Sequence, residues 1–192
     1  MATVITHALV GVALGRAGTW RKVPARFWLQ AAACGMLPDA DVLSFRLGIT
    51  YGNMFGHRGL THSLFFAAVA AALVTLLAFR KLPDFSRRWH RLFACFFLIM
   101  ASHDVIDAMT TGGLGVAFFS PFDLTRYFLP WRFITVAPIS AEGFFSRWGL
   151  DALASELVCV WLPMGAAVAI SLAARACYKN VTNFAADKRL KE

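Results

Sequence analysis

Two long apolar runs constrain this chain more than any other feature of its sequence. Residues 60–79 read LTHSLFFAAVAAALVTLLAF, and residues 150–174 read LDALASELVCVWLPMGAAVAISLAA. Each reaches the length of about 20 residues that a helix needs to cross a bilayer's hydrocarbon core. Composition agrees: 58% of the 192 residues are apolar and 16% charged, against about 25% charged in an ordinary soluble domain. Such a chain has too little polar surface to cover its apolar mass in water. The same balance excludes intrinsic disorder. Four scattered cysteines without repeated spacing exclude a disulfide scaffold. The length fits one domain, and no internal repeat or low-complexity tract interrupts it.

The remaining segments complete an expected all-α, polytopic membrane helix bundle. A third span, Leu92 to Met109, starts apolar and ends polar at SHDVID. Val4 to Leu14 and Phe27 to Leu37 hold 11 residues each, which suits short or recessed helices. The expectation is therefore three full spans plus two short N-terminal helices, with a kink at Pro163. The stretch FFSPFDLTRYFLPWRF, Phe118 to Phe133, is broken by Pro121 and Pro130. It reads as an aromatic loop at the membrane interface, where Trp and Tyr are favoured. Residues 1–175 read as one membrane-embedded domain, and 176–192 as a basic cytoplasmic tail.

Basic residues orient these segments. Fourteen of the 19 Lys and Arg fall on alternate loops: Arg16, Arg21, Lys22 and Arg26; Arg80, Lys81, Arg87, Arg88 and Arg91; Arg175, Lys179, Lys188, Arg189 and Lys191. The positive-inside rule puts those loops in the cytoplasm, with the N-terminus outside and the C-terminus inside. The net charge of +8 is then a consequence of topology, and nucleic acid is not an expected partner. Met1 to Leu14 lacks the basic start of a cleaved signal peptide and reads as a retained helix.

Against this apolar background, four of the five His and four of the eight Asp fall in four short motifs. These are Thr6-His7-Ala8, Pro38-Asp39-Ala40-Asp41, the run HRGLTHS with His57 and His62, and the run SHDVID with His103, Asp104 and Asp107. Each closes or opens a segment at the expected outer face. His103 and Asp107 are four apart and share a helix face, and Asp104 is three from Asp107. Pro38 places Asp39 and Asp41 on a turn or an extended piece, where alternate residues point the same way. Gly59 permits a tight turn between His57 and His62. His7, Gly11 and Gly15 recur every four residues, a smooth face for close helix packing.

Each motif alone has a plainer reading: a packing histidine, a helix cap, an accidental pair. Ionisable groups at membrane depth are costly and usually functional, and eight converging without a lysine point to a metal site. His90, among Arg87, Arg88 and Arg91, reads as interfacial and uninvolved. Cys34, Cys95, Cys159 and Cys177 pair with no motif.

The motifs THALVG, LPDAD, HRGLTHS and SHDVIDAMTTGG and the aromatic stretch resemble the YdjM-like family of predicted membrane-bound, metal-dependent hydrolases. Some of its members are described as LexA-regulated. The resemblance runs from about Thr6 to Ile139. It implies a bacterial inner-membrane location, a hydrolase activity, and a polar set of His7, Asp39, Asp41, His57, His62, His103 and Asp107. Where the family more often reads PWRPI and then SPI, this chain has Trp131-Arg132-Phe133-Ile134 and Ala137-Pro138-Ile139.

The leading expectation is thus an enzyme. A metal held by His and Asp lowers the pKa of bound water to about 7 and supplies hydroxide. Mixed imidazole and carboxylate donors suit Zn²⁺ best, with Mn²⁺ or Fe²⁺ as alternatives, as one or two ions. His7, Asp39, His62, His103 and Asp107 are the expected ligands. Asp41 or Asp104 would orient a ligand or act as base, and His57 as ligand or acid. Arg58, Arg126 and Arg132 would hold a substrate phosphate or anchor lipid headgroups. The short first two segments would leave the site recessed below the outer surface, so membrane lipid is an expected neighbour and a lipid-like or lipid-linked ester or phosphoester the expected substrate. The alternatives are a cation or proton carrier, which needs ionisable groups at several depths, and a non-catalytic membrane partner protein.

Overall fold

The computed structural model describes residues 1–18, 23–83 and 85–191, with side chains as far as Tyr178. Arg21 and Lys22 lie outside the described residues, and so do the side chains of Lys179, Lys188, Arg189 and Lys191. Among the described residues the chain is all-helical, without strands, with two isolated bridges, Thr110 to Ile134 and Val116 to Tyr127.

Helix α1 (Val4–Gly18) and α2 (Ala25–Met36) form a tight pair. Small residues set their separation: a Cβ on Gly11 would stand 2.4 Å from the Ala31 carbonyl oxygen, and one on Gly35 2.3 Å from that of His7. Pro38 then starts a 3-10 turn, Leu37–Val42, continued by the short α3 (Leu43–Arg46). The chain crosses a loop to a second 3-10 turn, Leu60–His62, and Ser63 caps α4 (Leu64–Ala78) by accepting from the Phe66 N–H at 3.0 Å. Ser86 caps the longer α5 (Arg87–Ala108) in the same way. On α5 the residues Phe96, Ile99, Met100, His103, Ile106 and Asp107 recur at helical spacing and are buried. Phe96, Ile99 and Met100 pack against Phe27 and Ala31 of α2 and Ala67, Ala70 and Ala71 of α4, and Ile106 against Ala2, Val10 and Ile134.

The inside of the bundle is polar at one end and the outside is apolar. Leu77 is 73% exposed while Arg58 is 0%. A protein that faces water does the reverse, so this distribution suits a lipid surround.

One helix among the described residues is long and apolar enough to cross a membrane, where three full spans were expected. It runs from Arg147 to Tyr178 through α7 (Arg147–Glu156), a π turn (Leu157–Trp161) and α8 (Leu162–Lys191). The π turn, a single-turn distortion of a kind frequent near functional sites, ends before Pro163, which lies in the first turn of α8. The second run starts later than expected because HRGLTHS is held in a loop and a 3-10 turn, which leaves α4 with 15 residues. The α5 helix has 22 residues, but its last two turns carry the buried polar set. The short α6 (Ala141–Phe144) precedes α7.

Candidate metal centre

Four separate elements bring their polar residues to one end of the bundle. His7 lies in the second turn of α1, Asp39 and Asp41 on the 3-10 turn after α2, His57 and His62 before α4, and His103, Asp104 and Asp107 in the last turns of α5. All eight are buried. The Asp39–Asp41 segment is a 3-10 helix and not an extended piece, because Pro38 sits in its first turn, where a missing N–H costs no hydrogen bond. Its two carboxylates consequently face different partners. Gly59 is required where it stands: a Cβ there would meet the Met54 carbonyl oxygen at 2.1 Å.

At the centre, the Nε2 atoms of His62 and His103 face each other at 3.0 Å. Asp39 Oδ1 lies 3.6 Å from the first and 3.5 Å from the second, and Asp107 Oδ2 lies 3.7 Å from His62 Nε2. One donor atom from each of these four residues lies within 4.8 Å of the others. Ligands at ~2.0–2.1 Å from a tetrahedral ion stand about 3.3 Å apart, so the spacing fits.

The opposite ring nitrogens explain why these atoms could hold a cation. His103 Nδ1 lies 2.8 Å from the Gly35 carbonyl oxygen, which can only accept. His62 Nδ1 lies 3.0 Å from Asp41 Oδ2. Neutral rings therefore carry their protons on Nδ1 and turn two Nε2 lone pairs toward each other and toward two carboxylates. Both oxygens of Asp39 are buried without a hydrogen-bond partner.

His7 stands beside this group. Its Nε2 is 3.3 Å from Asp107 Oδ1 and 4.0 Å from Asp39 Oδ2, and its ring stacks on His103 at 3.6 Å. Asp41, His57 and His62 make a second close set. Asp41 Oδ1 is 2.6 Å from His57 Nδ1, while Oδ2 accepts from the Arg58 N–H at 3.0 Å and the Thr61 hydroxyl at 2.7 Å. His57 Nε2 is left buried and unpartnered. Burial would raise the Asp39 and Asp41 carboxyls, but the surrounding imidazoles outweigh it and hold both below the usual carboxylate range. Burial pushes the His57 imidazole below its ordinary value, against the pull of Asp41. Asp104 is buried with neither oxygen hydrogen-bonded, and it belongs to neither close set.

The three arginines expected at a substrate phosphate are turned onto the protein. Arg58 pairs its Nε with Asp107 Oδ2 at 2.9 Å and donates to the Gly112 carbonyl and the Thr110 hydroxyl. Arg126 donates to the carbonyls of Tyr51, Asn53, His57 and Arg58. Arg132 donates to those of Thr110 and Thr111. Folding Pro-interrupted loops leaves unpaired carbonyls, and a guanidinium's fixed fork satisfies several at once. Arg126 and Arg132 brace the loops over the site, and Arg58 fixes Asp107. His90 is exposed at the opposite end of α5, about 20 Å from His103 at 1.5 Å per residue.

One buried acid escaped the motif reading. Glu156, fully buried before the π turn, accepts from the Thr3 N–H and from the Thr3 and Thr6 hydroxyls, each at 2.5 Å. It ties α7 to the first turn of α1 beside His7. Its signal was present: an acid inside an apolar run is expensive and seldom idle.

The model of the YdjM inner membrane protein family matches residues 1–178. The chain belongs to that family. The inner membrane protein YbcI of Escherichia coli (strain K12) is 42% identical over 168 residues, covering 85% of this chain and 92% of YbcI. No solved structure matches. Family membership, the relative and the apolar exterior agree on an inner membrane protein, and its buried His/Asp cluster could hold a metal ion.

Proposed function

We propose that this protein is a membrane-bound, metal-dependent hydrolase whose divalent ion is held by Asp39, His62, His103 and Asp107, with His7 adjoining. The observation that carries the reading is the pair of Nε2 atoms 3.0 Å apart, with the far nitrogens beside acceptors. Carboxylates fixing the orientation of ligand histidines are the usual support of such sites. Zn²⁺ fits the mixed donors best, and Mn²⁺ or Fe²⁺ would be tolerated. The ion would supply Lewis acidity toward a carbonyl or phosphoryl oxygen.

The chain's own residues supply the proton handling. Asp41 holds the His57 proton on Nδ1, so the unpartnered Nε2 is free to take a proton from an attacking water or return one to a leaving group. Arg58 keeps Asp107 in place and offsets its charge.

The topology in this reading is multi-pass, with the N-terminus outside and the C-terminus in the cytoplasm. At 15 and 12 residues, α1 and α2 reach roughly 22 and 18 Å, short of the ~30 Å core. With Arg16 and Arg26 at the inner surface, His7 and Asp39 lie below the outer headgroups. A site at that depth favours a lipid-like or lipid-linked ester or phosphoester. Turnover in mixed micelles tests this: long-chain esters and phosphoesters are expected to be hydrolysed faster than soluble short-chain ones, and only by metal-loaded protein. Equal rates with a chelator present would contradict the metal dependence, and absence of any ester or phosphoester turnover by metal-loaded protein would contradict the hydrolase assignment.

A further inference from the structure

A cavity of about 500 Å³ lies between the first residues of the chain and loop 137–145, with Asp39 on its wall. That volume falls within the range of about 300–1,000 Å³ that small-ligand sites occupy. The wall is almost entirely apolar: Val4 and Ile5 come from α1, Val42 from the turn that carries Asp39, and Ile139 and Phe144 from the far side. No Lys or Arg lines it. Among the described lining residues, Asp39, whose two oxygens lack hydrogen-bond partners, is the one charged side chain and belongs to the metal-ligand set, and the backbone of Met1 brings its α-amino group to the same cavity.

The far wall is built in place. The Ala137 N–H donates to the Met1 carbonyl at 2.9 Å, Trp148 Nε1 donates to the Val136 carbonyl at 2.7 Å, and Ser140 caps α6 through the Gly143 N–H at 3.1 Å. Gly143 lets that turn close, since a Cβ there would stand 2.7 Å from Pro138 Cβ. A largely apolar chamber with a carboxylate of the metal-ligand set and the Met1 amine at one end is shaped for an amphiphile whose polar head meets that end.

We infer that this cavity is the subsite for the alkyl or acyl chain of the substrate, with the head group directed toward Asp39. The inference rests on the hydrolase reading for the identity of the head, and on the cavity alone for the chain. A small, freely soluble, charged substrate gains nothing from such walls, whereas an alkyl chain gains ~0.8 kcal/mol per buried methylene.

The test uses full-length protein in detergent and a hexadecyl phosphate carrying a diazirine near the chain terminus. After photolysis, labelled positions are mapped by mass spectrometry. Labelling is expected within residues 1–5 and 137–145, and excess hexadecyl phosphate, but not butyl phosphate, should displace it. Ile139→Asp puts a charge on the cavity wall and should lower this labelling about tenfold or more. Ala141→Trp, at an exposed helix start, narrows the same space and serves as a second variant. Both should keep the metal content of the unmodified protein. Labelling spread over the outer faces of α4 and α8, unaffected by either variant, would overturn the inference. Metal content is read in the same samples: protein without metal but with cavity labelling removes the hydrolase reading alone, and metal-loaded protein labelled elsewhere removes the subsite alone.

Discussion

At the scale of single residues, the site depends on which nitrogen of each imidazole carries a proton. The Gly35 carbonyl settles it for His103, and Asp41 settles it for both His57 and His62. An Asp41→Asn amide can accept from one ring but must offer N–H to the other, which reverses a tautomer. Metal affinity should then fall about 10- to 100-fold, as read by competitive titration with a chromogenic chelator. His57→Ala should behave differently. It removes a proton carrier and leaves the four central donors intact, so bound metal should persist while turnover drops about 10²- to 10⁴-fold. Loss of metal in the His57 variant would place that residue among the ligands instead. The eight His and Asp were legible in the sequence because charge is so rare around them. The bracing role of the arginines was not, because it depends on carbonyls that only the folded loops 51–58 and 110–112 bring within reach.

At the scale of elements, the α1–α2 pair fixes the distance between His7 and Asp39. Gly11→Ala would drive a methyl to 2.4 Å from backbone at Ala31, which a flexible side chain cannot relieve. A loss of about 1–3 kcal/mol or more is expected, measured as thermal unfolding in detergent. Gly165→Ala on α8 is the control: nothing lies within 4 Å of its added Cβ, and helix propensity alone favours it by ~1 kcal/mol. Comparable destabilisation by the two would contradict the packing account. The glycine face was visible as a four-residue spacing, whereas span lengths were misjudged. Hydropathy counts Leu60 into a helix, but the turn that buries His62 needs those residues, and α4 begins only at Leu64. Glu156 was overlooked because its partners, Thr3 and Thr6, lie 153 and 150 residues away in sequence.

At the scale of the whole molecule, large apolar side chains face outward and the polar cluster is closed inside one end of the bundle. The proposed orientation follows from the basic loops, none of which contributes a ligand to the site. Reporter fusions after residue 50 should read out outside the cytoplasm, and fusions after residue 82 inside. A cytoplasmic signal after residue 50 would invert the bundle and move the site to the other face. The central claim, that the buried cluster holds a divalent ion, is tested most directly by elemental analysis of detergent-purified protein. The unmodified chain and His90→Ala should retain bound metal, predominantly zinc, at one or two ions per chain. His62→Ala and Asp107→Ala should lose it while remaining folded. Equal metal content in all four proteins, or none in the unmodified chain after purification without chelators, would contradict the account.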